Sequence, residues 1–380
     1  MQIVDWIIIL SLLAFIVSVA FYTKVLSKNV ADYLAANRCA GRYVISVTEG
    51  VGALCVLTFI SRFEIFYQAG FTSEWWGTIN FPIALIISVS GFVIYRYRQV
   101  RSLTLNQFIE IRYSRNLRIV VAILAWISGL LVFGLYPAVG ARFFIYFCGL
   151  PPAIIVGPIV LSTYVLVMLL LIALSLFFVF IGGQVTILIT DFIQGIIMNI
   201  VLLTIFIYLV VVFDWNVILE TLRNAPEGQS MVDPMDIGDA KKFNVYFYLI
   251  AALALFYNQN CTQSLQGFYS SARNSHEARM SKIIGTFRWV ISGLLFMMLP
   301  LCAYVFMNHE NYATRADSVM QKLSLITDEY LRRQLTVSVA LAEIFPPGLM
   351  GAFTAIMLFA LITTFDTQLL AWGSIFIQDI

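Results

Sequence analysis

The chain has 380 residues, 61% of them hydrophobic and 12% charged, with a formal net charge of +2; soluble domains carry about 25% charged residues. This is the composition of an integral membrane protein in contact with a lipid bilayer. It excludes a soluble domain, and the basic residues, spread over loops between apolar runs, offer no face for nucleic acid.

The five cysteines, Cys39, Cys55, Cys148, Cys261 and Cys302, show no ligand spacing, and the two histidines, His276 and His309, fall in polar stretches. They read as packing and loop residues, so neither a thiolate or imidazole metal centre nor a disulfide framework is expected. No nucleophile paired with a base and no glycine-rich phosphate loop is visible, which argues against an enzyme.

About nine spans are expected. The first runs from about Ile3 to Tyr22; its early part carries Asp5 and no Lys or Arg, unlike a cleaved leader. Lys24, Lys28, Arg38 and Arg42 follow it, placing that loop in the cytoplasm and the N-terminus outside. The second, Tyr43 to Gly70, contains Glu49-Gly-Val-Gly52 and is expected to be broken there, since freed carbonyls at membrane depth must line a cavity or bind something. Close packing through small residues is the alternative. Arg62 and Glu64, in the outer half of the span, are expected to pair in a vestibule, to contact an anion, or to snorkel outward.

The third span, Ile79 to Ile94, precedes Arg96, Arg98, Arg101, Arg112, Arg115 and Arg118, a strong cytoplasmic signal. The fourth, about Ile119 to Gly149, and the fifth, about Ile154 to Phe180, are separated by Pro151-Pro152. The sixth, Gln184 to Phe213, holds Thr186, Thr190, Asp191 and Gln194 on neighbouring faces. Asp191 is there either for an ion or because a helix start favours it.

After an outer loop the seventh segment begins at Asn244. Its second half, Tyr257-Asn-Gln-Asn-Cys-Thr-Gln-Ser264, is too polar for a lipid-facing helix. It reads as a second interrupted span or an early exit from the membrane. An eighth span, Trp289 to Met307, is followed by Val319, Leu323, Ile326 and Tyr330 at helical spacing, an amphipathic helix over the mouth.

The ninth span carries the chemistry. Ala360, Thr363, Thr364 and Thr367 recur at i, i+3, i+4 and i+7 with Asp366 at the edge, gathering oxygens on one side of a membrane-length helix. Threonines in apolar helices often only bond back to the preceding turn. A carboxylate at bilayer depth costs roughly 2.5–3.5 kcal/mol and is usually kept for an ion or proton path. Hydroxyl, carboxylate and carbonyl oxygens suit a small hard cation. Asp191 and Asp366 fall at similar depth and can share one.

These residues resemble the sodium:solute symporters. Ile181-Gly-Gly-Gln-Val-Thr-Ile-Leu-Ile-Thr-Asp-Phe-Ile-Gln-Gly195 resembles the family's Gly-Gly turn and Thr-Asp-x-Ile-Gln helix. Phe345-Pro-Pro-Gly-Leu-Met-Gly351, Thr363-Thr364 and Gln378-Asp-Ile380 resemble its Pro-x-Gly-x-x-Gly entry, paired hydroxyls and Asp-Ile exit, while the stretches around Thr58, Tyr67 and Tyr257–Ser271 resemble its broken helices. The resemblance implies an all-α, polytopic, LeuT-like inverted-repeat bundle in the cell membrane, importing a small polar solute with one or two sodium ions by alternating access.

It places the main sodium site on the Val51 and Leu54 carbonyls with Ala360, Thr363 and Thr364. A second would fall on Asp191, Thr363, Asp366 and Thr367, where Asp366 departs from the usual hydroxyl. The solute is expected between the breaks, at Gly52, Thr58, Tyr257, Asn258, Gln259 and Gln263. Thr58, Ala254 and Val290 stand where sugar carriers have their sugar-binding amide and lysine, which argues against a hexose.

By the same resemblance, residues 1–42 are an extra helix and loop, 43–213 a five-helix repeat, and 244–380 three helices of a second repeat. The chain is then either part of a longer protein or a shortened member. A symporter-like solute sensor or regulatory membrane module without independent transport is the alternative function.

Overall fold

The computed structural model describes every residue except 157–158, 227, 238–242 and 259–261, and for Val156, Ile159, Tyr257 and Asn258 it describes the backbone alone. Helix α1 (Ile3–Thr23) is a single apolar run. A polar link holding α2 (Val30–Ala35) leads to α3 (Arg42–Gly52). Helical structure lapses at Ala53 and resumes in α4 (Val56–Thr78), whose first turn is capped by the Cys55 sulfur accepting from the Thr58 amide. The expected break is therefore present. It lies at residues 53–55 rather than within Glu49–Gly52, because Gly50 and Gly52 are tolerated inside α3.

Next come α5 (Asn80–Ser90), α6 (Ile94–Val100), α7 (Leu105–Arg112) and α8 (Arg115–Cys148), the last two started by Thr104 and Ser114 side chains that accept from the Gln107 and Leu117 amides. A two-stranded antiparallel hairpin follows, β1 (Ala153–Val156) with β2 (Ile159–Ser162), Ala153 opposite Ser162. The hairpin is a small addition to an otherwise helical bundle, and it moves the start of the fifth span from Ile154 to Thr163. The β-branched runs Ile154-Ile-Val156 and Ile159-Val160, on either side of Gly157-Pro158, favour a hairpin over helix.

Helix α9 (Thr163–Val212) is interrupted at Gly183, whose φ of 57° and ψ of −141° are non-helical. A straight helix of 50 residues would reach about 75 Å, more than twice a bilayer core of about 30 Å. The interruption falls at the Gly182-Gly183 pair where the sequence divided two spans. The chain continues through α10 (Trp215–Arg223), α11 (Val245–Asn258), α12 (Gln266–Ser270) and α13 (Ser275–Asn308). It ends with α14 (Ala313–Ser324), α15 (Glu329–Ile344) and α16 (Leu349–Asp379). Among the described residues, six helical runs are long and apolar enough to cross a bilayer, Val56–Val100 and Thr163–Val212 being the two long bent ones.

Helix α13 starts fourteen residues before the expected Trp289, because Asn274 accepts from the Glu277 amide and opens the helix well ahead of the apolar run. The amphipathic helix past α13 is real. Val319 and Leu323 of α14 are buried and Ile326 packs beside them, but Tyr330 belongs to α15 and is 70% exposed.

Helix α16 is the centre of the bundle. Every residue from Phe353 to Gln368 is buried, against α1, α8 and α9. By contrast, α8 turns Leu124, Leu131 and Leu135 outward, as a lipid-facing helix does. The first half of α16 is gripped by phenylalanines. Phe353 lies 5.3 Å from Phe147 of α8 and 6.5 Å from Phe59 of α4, and Phe59 lies 4.1 Å from Phe296 of α13. Pairs of this kind add about 0.5–1.5 kcal/mol beyond area burial.

The start of α16 is capped from the far end of the chain. Asp5 Oδ1 accepts from the amides of Gly348 at 2.7 Å and Gly351 at 2.9 Å, while Oδ2 accepts from the Gln2 amide at 2.7 Å. A buried carboxylate at an N-terminal turn satisfies orphan amides and suits the helix dipole. Asp5→Ala is expected to destabilise the detergent-solubilised protein by about 1–2 kcal/mol, with Asp5→Asn retaining part of the loss. Thermal unfolding measures both; a melting temperature unchanged in Asp5→Ala would remove the cap from this account.

Candidate functional site

Two separate chain segments meet at the end of α3. The Thr363 hydroxyl of α16 reaches the Val51 carbonyl at 3.4 Å and, equally, the Ala360 carbonyl of its own helix at 3.4 Å. Val51, Leu54, Ala360, Thr363 and Thr364 are all buried. The approach of α9 is close as well. A Cβ on Gly195 would come within 2.7 Å of the Val47 and Val51 side chains, so glycine is what lets α9 lie against the end of α3.

Asp191 of α9 and Asp366 of α16 have no exposed surface, and the Thr367 hydroxyl stands between them, 3.5 Å from Asp191 Oδ2 and 3.4 Å from Asp366 Oδ1. Asp191 Oδ1, Asp366 Oδ2 and Thr364 Oγ1 are buried without a hydrogen-bond partner among the described residues. Buried oxygens left without donors are costly unless something positive accepts their lone pairs. Here they belong to three neighbouring positions on two packed helices. This all-oxygen set fits a small hard cation.

The opposite side of the same break lines a cavity of 680 Å³. Gly50 and Ala53 form its wall beside the break, with Arg62 and Glu74 from α4 and Lys282 and Arg288 from α13. The stretch 50–54 thus has two faces, one towards the carboxylates and threonines of α16 and one towards the cavity.

Other expected site residues are placed differently. Gly52 looks away from the cavity, against Phe268 and Thr367. Thr58 is engaged in closing the break, its hydroxyl 3.3 Å from the Ala53 carbonyl and 3.2 Å from the Cys55 sulfur. Gln263 opens a short 3-10 turn just before α12. The side chains of Tyr257 and Asn258, and all of Gln259, lie outside the described residues.

Of the charged residues lining the cavity, only Arg62 had an expected part, as half of a vestibule pair or as an anion contact. Glu49 Oε1 sits 2.6 Å from Lys282 Nζ and accepts from the Tyr269 hydroxyl at 2.9 Å. Arg62 lies over the Trp289 ring at 4.9 Å instead of snorkelling to the surface. The available signal was the row Lys282, Thr286, Trp289 and Gly293, at i, i+4, i+7 and i+11 on one face of α13.

Two arginines of the basic loop also do more than mark topology. Arg98 donates to the Ala272 carbonyl at 2.6 Å and the Arg273 carbonyl at 3.2 Å. Arg118 binds Asp379 at 2.8 Å, along with Glu110 and the Gln378 carbonyl.

A helical bundle with a broken span, a buried oxygen cluster on one side of the break and a cavity on the other defines a membrane carrier rather than an enzyme. The sequence profile of the sodium:solute symporter family matches residues 33–380, and the chain belongs to that family. It is therefore a multi-pass membrane protein that couples solute movement to sodium. No curated protein matches it. Among solved structures it is similar to a substrate-bound, outward-open Na+-coupled sialic acid symporter, with a TM-score of 0.79 at 17% identity, covering 100% of this chain and 74% of that one. At that identity the likeness shows the shared fold.

The carboxylate pair yields a prediction with two opposite signs. Asp366→Asn removes one of two buried like charges, so the variant is expected to melt higher than the wild type in choline buffer. Its sodium affinity should fall about tenfold or more, as expected when one charged ligand is lost. Melting curves titrated with sodium report both effects; a variant stabilised by sodium as strongly as the wild type would exclude Asp366 as a ligand.

Proposed function

We propose that this protein imports a small polar organic solute together with sodium by alternating access, with residues 43–213 acting as a five-helix repeat and 244–380 as the first three helices of an inverted second one. Residues 1–42 precede that core, the N-terminus lies outside, and the last helix delivers the chain to the cytoplasm. The observation that carries the reading is the Val51–Thr363 contact at a helix break, with unpartnered buried oxygens around it.

One sodium ion is held by the Val51 and Leu54 carbonyls, the Ala360 carbonyl and the Thr363 and Thr364 hydroxyls. A second fits Asp191, Thr363, Asp366 and Thr367. With the ion bound, α3 and α4 are drawn against α16 and the wall formed by Gly50 and Ala53 is ordered for solute. On release of the ion the two repeats can rock apart.

A ligand shifts such an equilibrium only by its different affinity for the two states, and the break supplies that difference because its carbonyls converge in one state alone. Inward movement of each sodium ion down 100 mV supplies about 2.3 kcal/mol towards concentrating the solute.

In proteoliposomes, uptake by the full-length protein is expected to require an inward sodium gradient and to be lost in Thr364→Ala. Uptake that proceeds equally in potassium or choline would refute the coupling.

A further inference from the structure

We infer that the cavity selects a monoanionic solute and that Arg288 binds its carboxylate, an assignment that rests on the carrier reading above. The argument is a balance of charge. Five ionisable side chains line the cavity, namely Glu49, Arg62, Glu74, Lys282 and Arg288. Glu49 and Lys282 neutralise each other at 2.6 Å, and Tyr269 adds a hydrogen bond to the same oxygen.

Glu74 and Arg62 face each other beside Gly293, whose Cβ would lie 3.3 Å from Glu74 Oε1 and 4.0 Å from Arg62 Nη1. That leaves one cation over. Arg288 has no carboxylate within ion-pair distance among the described residues, and its Nε and Nη1 are buried without a hydrogen-bond partner.

A guanidinium held in a largely apolar wall without an acceptor is expensive, and its planar fork matches a carboxylate better than any neutral group. Its position is set by the backbone. A Cβ on Gly50 would stand 1.1 Å from Arg288 Nη2, so the guanidinium rests directly over the last turn of α3, three residues before the break begins at Ala53. A carboxylate bound there touches the same turn that carries Val51, whose carbonyl faces Thr363.

Phe81, Ala84, Leu255 and Leu265 give an apolar part of the remaining wall that receives the body of the solute, and Thr78, Asn80 and Thr286 add polar groups beside it. A zwitterion is disfavoured because both carboxylates in the cavity already face a cation, and a neutral solute would leave Arg288 uncompensated.

The test uses the purified full-length protein in saturating sodium, with melting temperature as readout and three probe classes. These are the monoanions gluconate, pantothenate and N-acetylneuraminate, the neutral sugar glucose, and the zwitterion proline. At least one monoanion should raise the melting temperature while glucose and proline do not. Arg288→Gln should weaken that binding about tenfold to a hundredfold, as expected for loss of a charged hydrogen-bond partner, with Arg288→Lys retaining part of it.

The stabilisation by sodium alone should survive in Arg288→Gln, which shows that the variant is folded. The proposal is overturned if no monoanion binds, if glucose or proline binds in their place, or if Arg288→Gln binds the anion as well as the wild type. If monoanions bind through Arg288 without any requirement for sodium, the anion assignment stands and the coupling fails.

Discussion

Everything in this protein turns on the Val51 carbonyl, which at the end of α3 closes a short turn to the Leu54 amide at 2.9 Å and still presents a lone pair beyond the helix. Interrupting the span at residues 53–55 opens such oxygens to partners from elsewhere in the chain, at a depth where no water can satisfy them. The Val51 carbonyl meets the Thr363 hydroxyl at 3.4 Å from a position 312 residues distant. That meeting needs α16 at the middle of the bundle, and the molecule is built to hold it there. Phenylalanines from α4, α8 and α13 enclose its first half, and Asp5 of α1 caps its first turn. A helix buried on all sides along sixteen consecutive residues, Phe353 to Gln368, has few ways to shift, so its oxygens form a fixed surface against which the break can close.

The break is short but it faces two ways. Val51 belongs to the side with Thr363, while Gly50 and Ala53 belong to the cavity. A cation that pulls the first side into register necessarily repositions the second, because only three non-helical residues separate α3 from α4. No chain of intermediaries is required; the two sites share a backbone segment. The pair Asp191 and Asp366 strengthens the demand for a cation on one side. The surplus guanidinium of Arg288 sets the opposite demand on the other, and the two charges are of the kind that a sodium ion and an organic anion bring together.

At the ends of the helices, ties of another kind are gathered. Asp379 at the end of α16 accepts from Thr104 at 2.9 Å and Asn106 at 3.2 Å and pairs with Arg118. Arg42 pairs with Glu277 at 2.5 Å, and the backbone at Ala40 exchanges hydrogen bonds with Ser271 and Arg273 at 3.0 and 2.9 Å. These contacts join α3, α7, α8, α13 and α16 at one end of the bundle, the end the sequence assigns to the cytoplasm. Any opening there has to exchange them for water, which is cheap at a wet surface compared with the bilayer interior.

The residues alone determined the class of protein, the broken second span, the Gly182-Gly183 bend and the threonine and carboxylate stripe of α16. Each is a local property: apolar length, a glycine that admits positive φ, or periodicity along one helix. The sequence could not place the break at 53–55 instead of 49–52, since a helix can carry two glycines when its neighbours pack closely enough. Nor did it reveal the hairpin after Pro152 or the early start of α13.

Only the tertiary structure decided which charges face one another. Lys282 and Arg288 counted simply as basic residues beside a span until α13 turned them towards Glu49 and over Gly50. Which lone pairs remain without a donor, and which guanidinium without an acceptor, is a property of packing between distant segments. The site's two charges become visible only when α3, α9, α13 and α16 are brought together.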